Sequence, residues 1–143
     1  MKIKECMSTD IVYAGIDDNI SNIAKLMNEH HVGSIPICDT DKNLLGLITD
    51  RDIILRSIAC GKDVNETKVK EIMTTDIVSI CSDKDIKEAN KIMSDNQIRR
   101  LLVVDNEKIV GILSIGDLLR NLNTDKSEIE NTMECICDCK KNQ

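Results

Sequence analysis

The sequence predicts an α+β protein made of two β-α-β-β-α repeats, packed sheet to sheet with pseudo-twofold symmetry. Three observations carry the prediction. First, the chain is written twice: Lys4-Glu5-Cys6-Met7-Ser8-Thr9-Asp10-Ile11-Val12 recurs as Lys70-Glu71-Ile72-Met73-Thr74-Thr75-Asp76-Ile77-Val78, and methionines 7 and 73 set the offset at 66 residues. The register holds through Asp17 and Asp83, Ile20 and Ile86, Met27 and Met93, and Asp39 and Asp105. After a one-residue gap it continues at 65 residues, through Gly46 and Gly111 and through Asp52 and Asp117. Second, each copy mixes short apolar runs with one stretch of helical periodicity. Third, 143 residues, 41% hydrophobic and 31% charged, suit two small halves rather than one large core. A β-α-β-β-α unit leaves an apolar sheet face uncovered, which is the reason to expect the copies to pack on one another.

The elements follow in order. Ile11-Val12-Tyr13 and Ile77-Val78-Ser79-Ile80 read as short strands entered from a polar turn. A helix comes next in each copy. In the first, Asp17 or Asp18 is the expected cap, with Ile20, Ile23 and Met27 on the buried face. In the second, Ser82 and Asp85 have capping-box spacing ahead of Ile86, Ala89 and Met93. Two dense apolar strands then follow: Ile35-Pro36-Ile37-Cys38 and 44–48 in the first copy, 101–104 and 109–113 in the second. A last helix starts near Asp52 or Asp117. The polar run 59–67 joins the copies, so the domain reading is repeat 1 over 1–60, a linker over 61–69, repeat 2 over 70–122 and a tail over 123–143.

Composition excludes several functions. A net charge of −6 and no basic stripe argue against nucleic acid and against an anionic membrane surface. One Tyr and no Phe or Trp leave nothing on which single-stranded bases could stack. Met1-Lys2-Ile3-Lys4-Glu5 has no apolar signal core, and the apolar runs are too short to span a bilayer, so a cytoplasmic location is expected. The odd count of seven cysteines reads as free thiols. Cys38 and Cys81 are expected to pack as small hydrophobes. Cys135, Cys137 and Cys139 form a C-x-C-x-C ending that could hold a soft metal but lacks the paired spacing of structural zinc sites; Ile129, Met133 and Ile136 precede or join it at helical spacing. His30 and His31 fall at a helix end, where a cation or cap is favourable. No Gly-rich phosphate loop and no nucleophile with a base is evident, so no enzymatic activity is expected.

At this point the repeat resembles the cystathionine-beta-synthase (CBS) domain family, present as a tandem pair, the Bateman module. The matching motifs are the Met-Ser/Thr-Thr-Asp-Ile-Val openings, His31-Val32-Gly33-Ser34-Ile35-Pro36-Ile37 with its partner Gln97-Ile98-Arg99-Arg100-Leu101-Leu102-Val103, and Gly46-Leu47-Ile48-Thr49-Asp50-Arg51-Asp52. Thr49-Asp50-Arg51-Asp52 followed by Ala59-Cys60-Gly61 resembles stand-alone bacterial CBS-pair proteins of the hypoxic-response type.

The resemblance implies clefts that draw on both copies and take an adenosine-containing ligand of the AMP, ADP or ATP class, with no required cofactor. The family's Ser/Thr-x-x-Asp motif stands here as Thr49-x-x-Asp52 and Ser114-x-x-Asp117. Its carboxylate suits the vicinal hydroxyls of a ribose, and its hydroxyl and helix start suit phosphate. The opening turn of the opposite copy, Thr9-Asp10-Ile11-Val12 or Thr75-Asp76-Ile77-Val78, would meet the adenine edge, with Val32 and Ile98 as apolar walls. Arg99 and Arg100 place phosphate-binding forks in the second copy, where the first has Gly33 and Ser34; Arg51 in turn stands where the second has Gly116. The site of Ser114, Asp117 and Arg100 is therefore the expected anion site. The same Asp residues suit simple N-capping, and the same arginines suit solvation or ion pairing. A homodimer and an unidentified effector protein are the expected partners. Two rival functions remain open here: a metal- or redox-responsive dimeric scaffold using the tail cysteines, and a ligand-free protein-interaction scaffold.

Overall fold

The structure is a computed structural model and describes residues 1–121 together with Glu130, Asn131, Met133 and Glu134. The expectations for Ile129, Ile136, Cys135, Cys137 and Cys139 lie outside the described residues. The fold is mixed α+β, in two compact units: Met1–Ile11 with Val78–Gln143, and Val12–Ile77.

In the unit Val12–Ile77, helix α1 (Ile20–His30) buries Ile20, Ile23 and Met27 on one face, as their spacing requires. Its cap is Asn19 rather than Asp17 or Asp18: the Asn19 side chain accepts from the Asn22 N–H at 2.8 Å. Asp18 is spent one turn earlier, accepting from Gly15 N–H at 2.9 Å, and Asp17 pairs with Lys68 and Lys70. His31 closes the helix in the left-handed conformation, at φ 54°. Strands β1 (Ser34–Cys38) and β2 (Leu44–Thr49) form an antiparallel pair. Helix α2 (Asp50–Ile53) then runs into a wider π-type turn, Ile54–Ile58. The strand expected at 11–13 does not form. Only Ala14 bridges to Ile37, because the preceding residues leave the sheet after a single pairing.

The other unit repeats the plan with one more strand. Strand β3 (Ser79–Ile80), shorter than its apolar run suggests, lies parallel to β4 (Arg100–Asp105), which pairs antiparallel with β5 (Lys108–Ser114) in the order β3-β4-β5. Helix α3 (Ile86–Asn96) buries Ile86, Ala89 and Met93, and α4 (Ile115–Asn121) follows β5 directly. The Ser82–Asp85 capping box is not made. Asp85 caps α3 alone, accepting from Lys87 N–H at 2.9 Å, while Ser82 is buried against the Asp105 carboxylate. Cys38 is buried as expected, and burial pushes its thiol pKa up; Cys81 is exposed, a correction to its apolar sequence neighbourhood.

The leading segment of each repeat serves the core of the other. Ile3, at the start of the first repeat, is fully buried among Ile80, Ile86, Met93, Leu101, Val103, Leu113 and Leu118. Val69, its counterpart, is fully buried among Ile20, Ile23, Ile35, Ile37 and Ile48. Backbone bonds seat both segments: Ile3 N–H donates to Lys84 O and Lys4 N–H to Ser82 O at 3.0 Å each, and Val69 N–H donates to Asp18 O at 2.8 Å. The aliphatic core that the scarcity of aromatics implies thus mixes residues of the two repeats in each unit, from two separate stretches in one and from the continuous chain Val12–Ile77 in the other.

Candidate functional site

The end of the last strand in each repeat carries the Ser/Thr-x-x-Asp turn, and both copies are built alike. Ser114 closes β5 opposite Arg100, the first residue of β4, so the two are cross-strand partners. Ser114 N–H donates to Asp117 Oδ2 at 2.8 Å, and Asp117 N–H donates back to Ser114 Oγ at 3.2 Å. In the unit Val12–Ile77, Thr49 closes β2 opposite Ser34; Thr49 N–H donates to Asp52 Oδ2 and Asp52 N–H to Thr49 Oγ1, both at 3.1 Å. Both motifs are reciprocal capping boxes. Each uses one carboxylate oxygen and leaves the other, Oδ1, turned toward a different group.

An arginine that the sequence reading did not single out takes that second oxygen in each case. Arg120 Nη2 donates to Asp117 Oδ1 in a very short contact. Arg56 Nε lies 3.7 Å from Asp52 Oδ1, and its Nη1 also donates to Ile72 O at 3.1 Å and to Thr74 Oγ1 at 3.3 Å. The i,i+3 and i,i+4 spacings of Asp and Arg are the signals that reveal them.

The opening turns are placed by single two-way bridges. Ser8 exchanges both backbone hydrogen bonds with Ile112 at 2.9 Å, which puts Thr9, Asp10 and Ile11 in the same unit as Ser114 and Asp117. Thr74 does the same with Leu47, at 2.8 and 2.9 Å, which puts Thr75, Asp76 and Ile77 in the unit of Thr49 and Asp52. Ile98, Arg99, Arg100 and Val78 belong to the first of these units; Val12, Val32 and Arg51 belong to the second. Val32 and Ile98 are half-buried and pack on their cores, and Val78 is exposed.

Charge divides the two turns. Arg99 and Arg100 are exposed and, among the described residues, unpaired; the Arg99 carbonyl accepts from Ile115 N–H at 2.8 Å, which holds the start of β4 against the start of α4. At the matching place Gly33 O accepts from Asp50 N–H at 2.9 Å, and the Asp50 carboxylate lies over Gly33, 3.1 Å from where a Cβ would stand. The Arg51 guanidinium is not ion-paired among the described residues; the Arg51 backbone N–H donates to Asp50 Oδ1 at 2.8 Å. One unit thus sets Arg99, Arg100 and Arg120 against Asp10 and Asp117, and the other sets Arg51 and Arg56 against Asp50, Asp52 and Asp76. The first set is net +1 and the second net −1. A groove of about 420 Å³ lined by Ser79, Ile80, Cys81, Lys84, Glu88, Lys91 and Ile92 contains none of these residues. No group of three or more His, Cys, Asp or Glu side chains among the described residues is arranged to hold a metal ion.

The CBS domain family model matches residues 3–58 and again residues 69–124. The chain belongs to the CBS-domain family. This CBS pair is 38% identical over 125 residues to the CBS domain-containing protein YhcV of Bacillus subtilis, covering 87% of this chain and 88% of that one. Hypoxic response protein 1 of Mycobacterium tuberculosis is 31% identical over 119 residues, 83% of each chain. The crystal structure of Hypoxic Response Protein I with two coordinated zinc ions superposes with a TM-score of 0.77 at 29% identity, covering 85% of this chain and 98% of that one. The CBS domain pair of protein MJ0100, in complex with 5′-methylthioadenosine and S-adenosyl-L-methionine, superposes with a TM-score of 0.72 at 27% identity, covering 86% of this chain and all of that one. No helix among the described residues of this CBS pair is long and apolar enough to cross a membrane.

Proposed function

We propose that this CBS pair is a non-enzymatic regulatory module that binds an adenosine-containing, phosphorylated ligand at the turn of Ser114 and Asp117. The observation that carries the reading is the pairing of Arg100 with Ser114 across β4 and β5, one residue from Arg99, which is exposed and, among the described residues, unpaired. A guanidinium fork beside a hydroxyl and a carboxylate is suited to a phosphate and a ribose diol in one ligand. The net +1 set favours an anion, whereas the Thr49 and Asp52 turn, net −1 and with Gly33 and Ser34 in place of arginines, disfavours one. The adenosine ligands of the MJ0100 pair support this choice of ligand class.

Regulation requires that ligand stabilise one of two states over the other, with the output read by a partner protein or by a homodimer. The apolar side chains of Ile54, Leu55 and Ile58, each about half exposed, are candidates for the surface that such a dimer covers.

The test is calorimetric titration of the reduced protein with AMP, ATP and S-adenosylmethionine, beside Asp117→Asn and Asp52→Asn. Asn retains an acceptor for the capping box while removing the charge, and thermal melting checks that each variant folds. Saturable binding of AMP or ATP that Asp117→Asn weakens by about tenfold or more, and Asp52→Asn leaves intact, is the expected result. Equal losses in both variants would remove the preference for the Ser114 turn, and no binding by folded wild-type protein would remove the nucleotide reading.

A further inference from the structure

Resting on that reading, we infer that Arg120 is a movable counter-ion of Asp117 that makes the site select phosphorylated over unphosphorylated adenosine. Three features separate Arg120 from its analogue Arg56. Arg120 has Asp117 as its sole partner among the described residues and its side chain is 69% exposed, while Asp117 is 15% exposed. Arg56 is held at three points, by Asp52, Ile72 O and Thr74 Oγ1, and is built as a strut. The Arg120 side chain also lies across Gly116, whose absent Cβ would stand 3.3 Å from Nη1. In the first repeat Arg51 takes the place of Gly116, and Leu55 the place of Arg120. This arrangement therefore exists in one repeat only, the one that also carries Arg99 and Arg100.

The consequence is electrostatic. Asp117 accepts Ser114 N–H on Oδ2 and Arg120 on Oδ1, so a ribose diol approaching the carboxylate meets the guanidinium on the oxygen the capping box leaves free. Adenosine, with no charge, must displace Arg120 and offers it nothing in return. A nucleotide offers a phosphate, which accepts from a guanidinium in bidentate fashion and holds it off Asp117. Arg120 then changes partner rather than losing one. Until that exchange it neutralises Asp117, so the carboxylate does not repel the incoming anion.

The experiment measures adenosine and AMP binding by calorimetry in wild type, Arg120→Ala, Arg120→Lys and Asp117→Asn, with melting temperatures for each. In Arg120→Ala, adenosine should bind about two- to fivefold more tightly, because an exposed ion pair no longer competes. AMP should bind roughly tenfold or more weakly, because a charge-assisted contact to phosphate is lost. Arg120→Lys, which keeps the charge but not the fork, should fall between wild type and Arg120→Ala for AMP. If AMP binding is abolished by Asp117→Asn yet Arg120→Ala moves both ligands the same way, or neither, the exchange is overturned while the nucleotide site stands. If folded wild-type protein binds neither adenosine nor AMP, the site reading and the exchange fall together.

Discussion

Asp17 and Asp83 occupy equivalent places in the two repeats, and each receives the lysines of a leading segment. Asp83 meets Lys4 at 2.9 Å and Lys2 at 3.7 Å; Asp17 meets Lys70 at 3.3 Å and Lys68 at 3.4 Å. The hydrogen bond from Lys4 holds the Asp83 carboxyl below its ordinary 3.8, and those from Lys70 and Lys68 do the same for Asp17. A carboxyl with a lowered folded pKa contributes stability that is complete above its unfolded value and lost as pH falls through the folded one. Acidification from about pH 4 downward should therefore loosen both leading segments. Asp17→Asn/Asp83→Asn, melted at pH 7 and again near pH 3, should show a smaller acid-induced fall in melting temperature than wild type. An equal fall would show that these pairs do not contribute. Neither carboxylate announces this role in the sequence, where Asp17 reads as a candidate helix cap; the lysines that claim it lie 51 and 53 residues away.

At the scale of the element, the two hairpins carry a matched device. Gly46 in β2 and Gly111 in β5 sit where a Cβ would collide with the thioether of Met73 and Met7 respectively, and at Gly111 the Ser8 carbonyl would also be only 3.1 Å away. These glycines let the opening segments lie flat on the strands, which is what allows Ser8 to bridge Ile112 and Thr74 to bridge Leu47. Gly111→Ala should cost about 1–3 kcal/mol by overpacking. The flexible Met7 side chain can yield but Ser8 O cannot, so Gly111→Ala/Met7→Ala should cost less than the two single changes added together. Denaturant unfolding of the four proteins checks this; strict additivity would mean that Gly111 and Met7 do not meet. The strands, the helices and the Gly of each hairpin are legible in sequence from apolar period and repetition. The absence of a strand at 11–13 and the shortness of β3 are not, because strand length depends on which neighbour remains within pairing distance.

At the scale of the whole molecule, each compact unit is completed by chain from the other repeat. Burying Ile3 in the core of Leu101, Val103, Leu113 and Leu118 makes the first residues of the chain part of the second repeat's stability. Ile3→Ala should cost about 2–5 kcal/mol. Native-state hydrogen exchange should show the loss in α3, β4 and β5, with α1, β1 and β2 spared. Val69→Ala should give the reverse pattern. Loosening of α1 by Ile3→Ala would contradict the exchange of segments. The same exchange places Thr9, Asp10 and Ile11 with Ser114 and Asp117, so the candidate site draws on both repeats while lying in one unit.

Several properties of this CBS pair follow from local rules that any stretch of chain obeys alone. The α+β class and the buried faces of α1 and α3 depend on period and spacing over a few residues, the duplication shows when the chain is set against itself at 66 residues, and the Ser/Thr-x-x-Asp turns are what the family resemblance implies. The partners of exposed charges depend on distances between segments far apart in the chain, which no local pattern encodes. That is why Asp17 reads as a helix cap yet is claimed by Lys68 and Lys70 from 51 and 53 residues away, whereas Arg56 and Arg120, one helical turn from Asp52 and Asp117, have a local spacing that signals them.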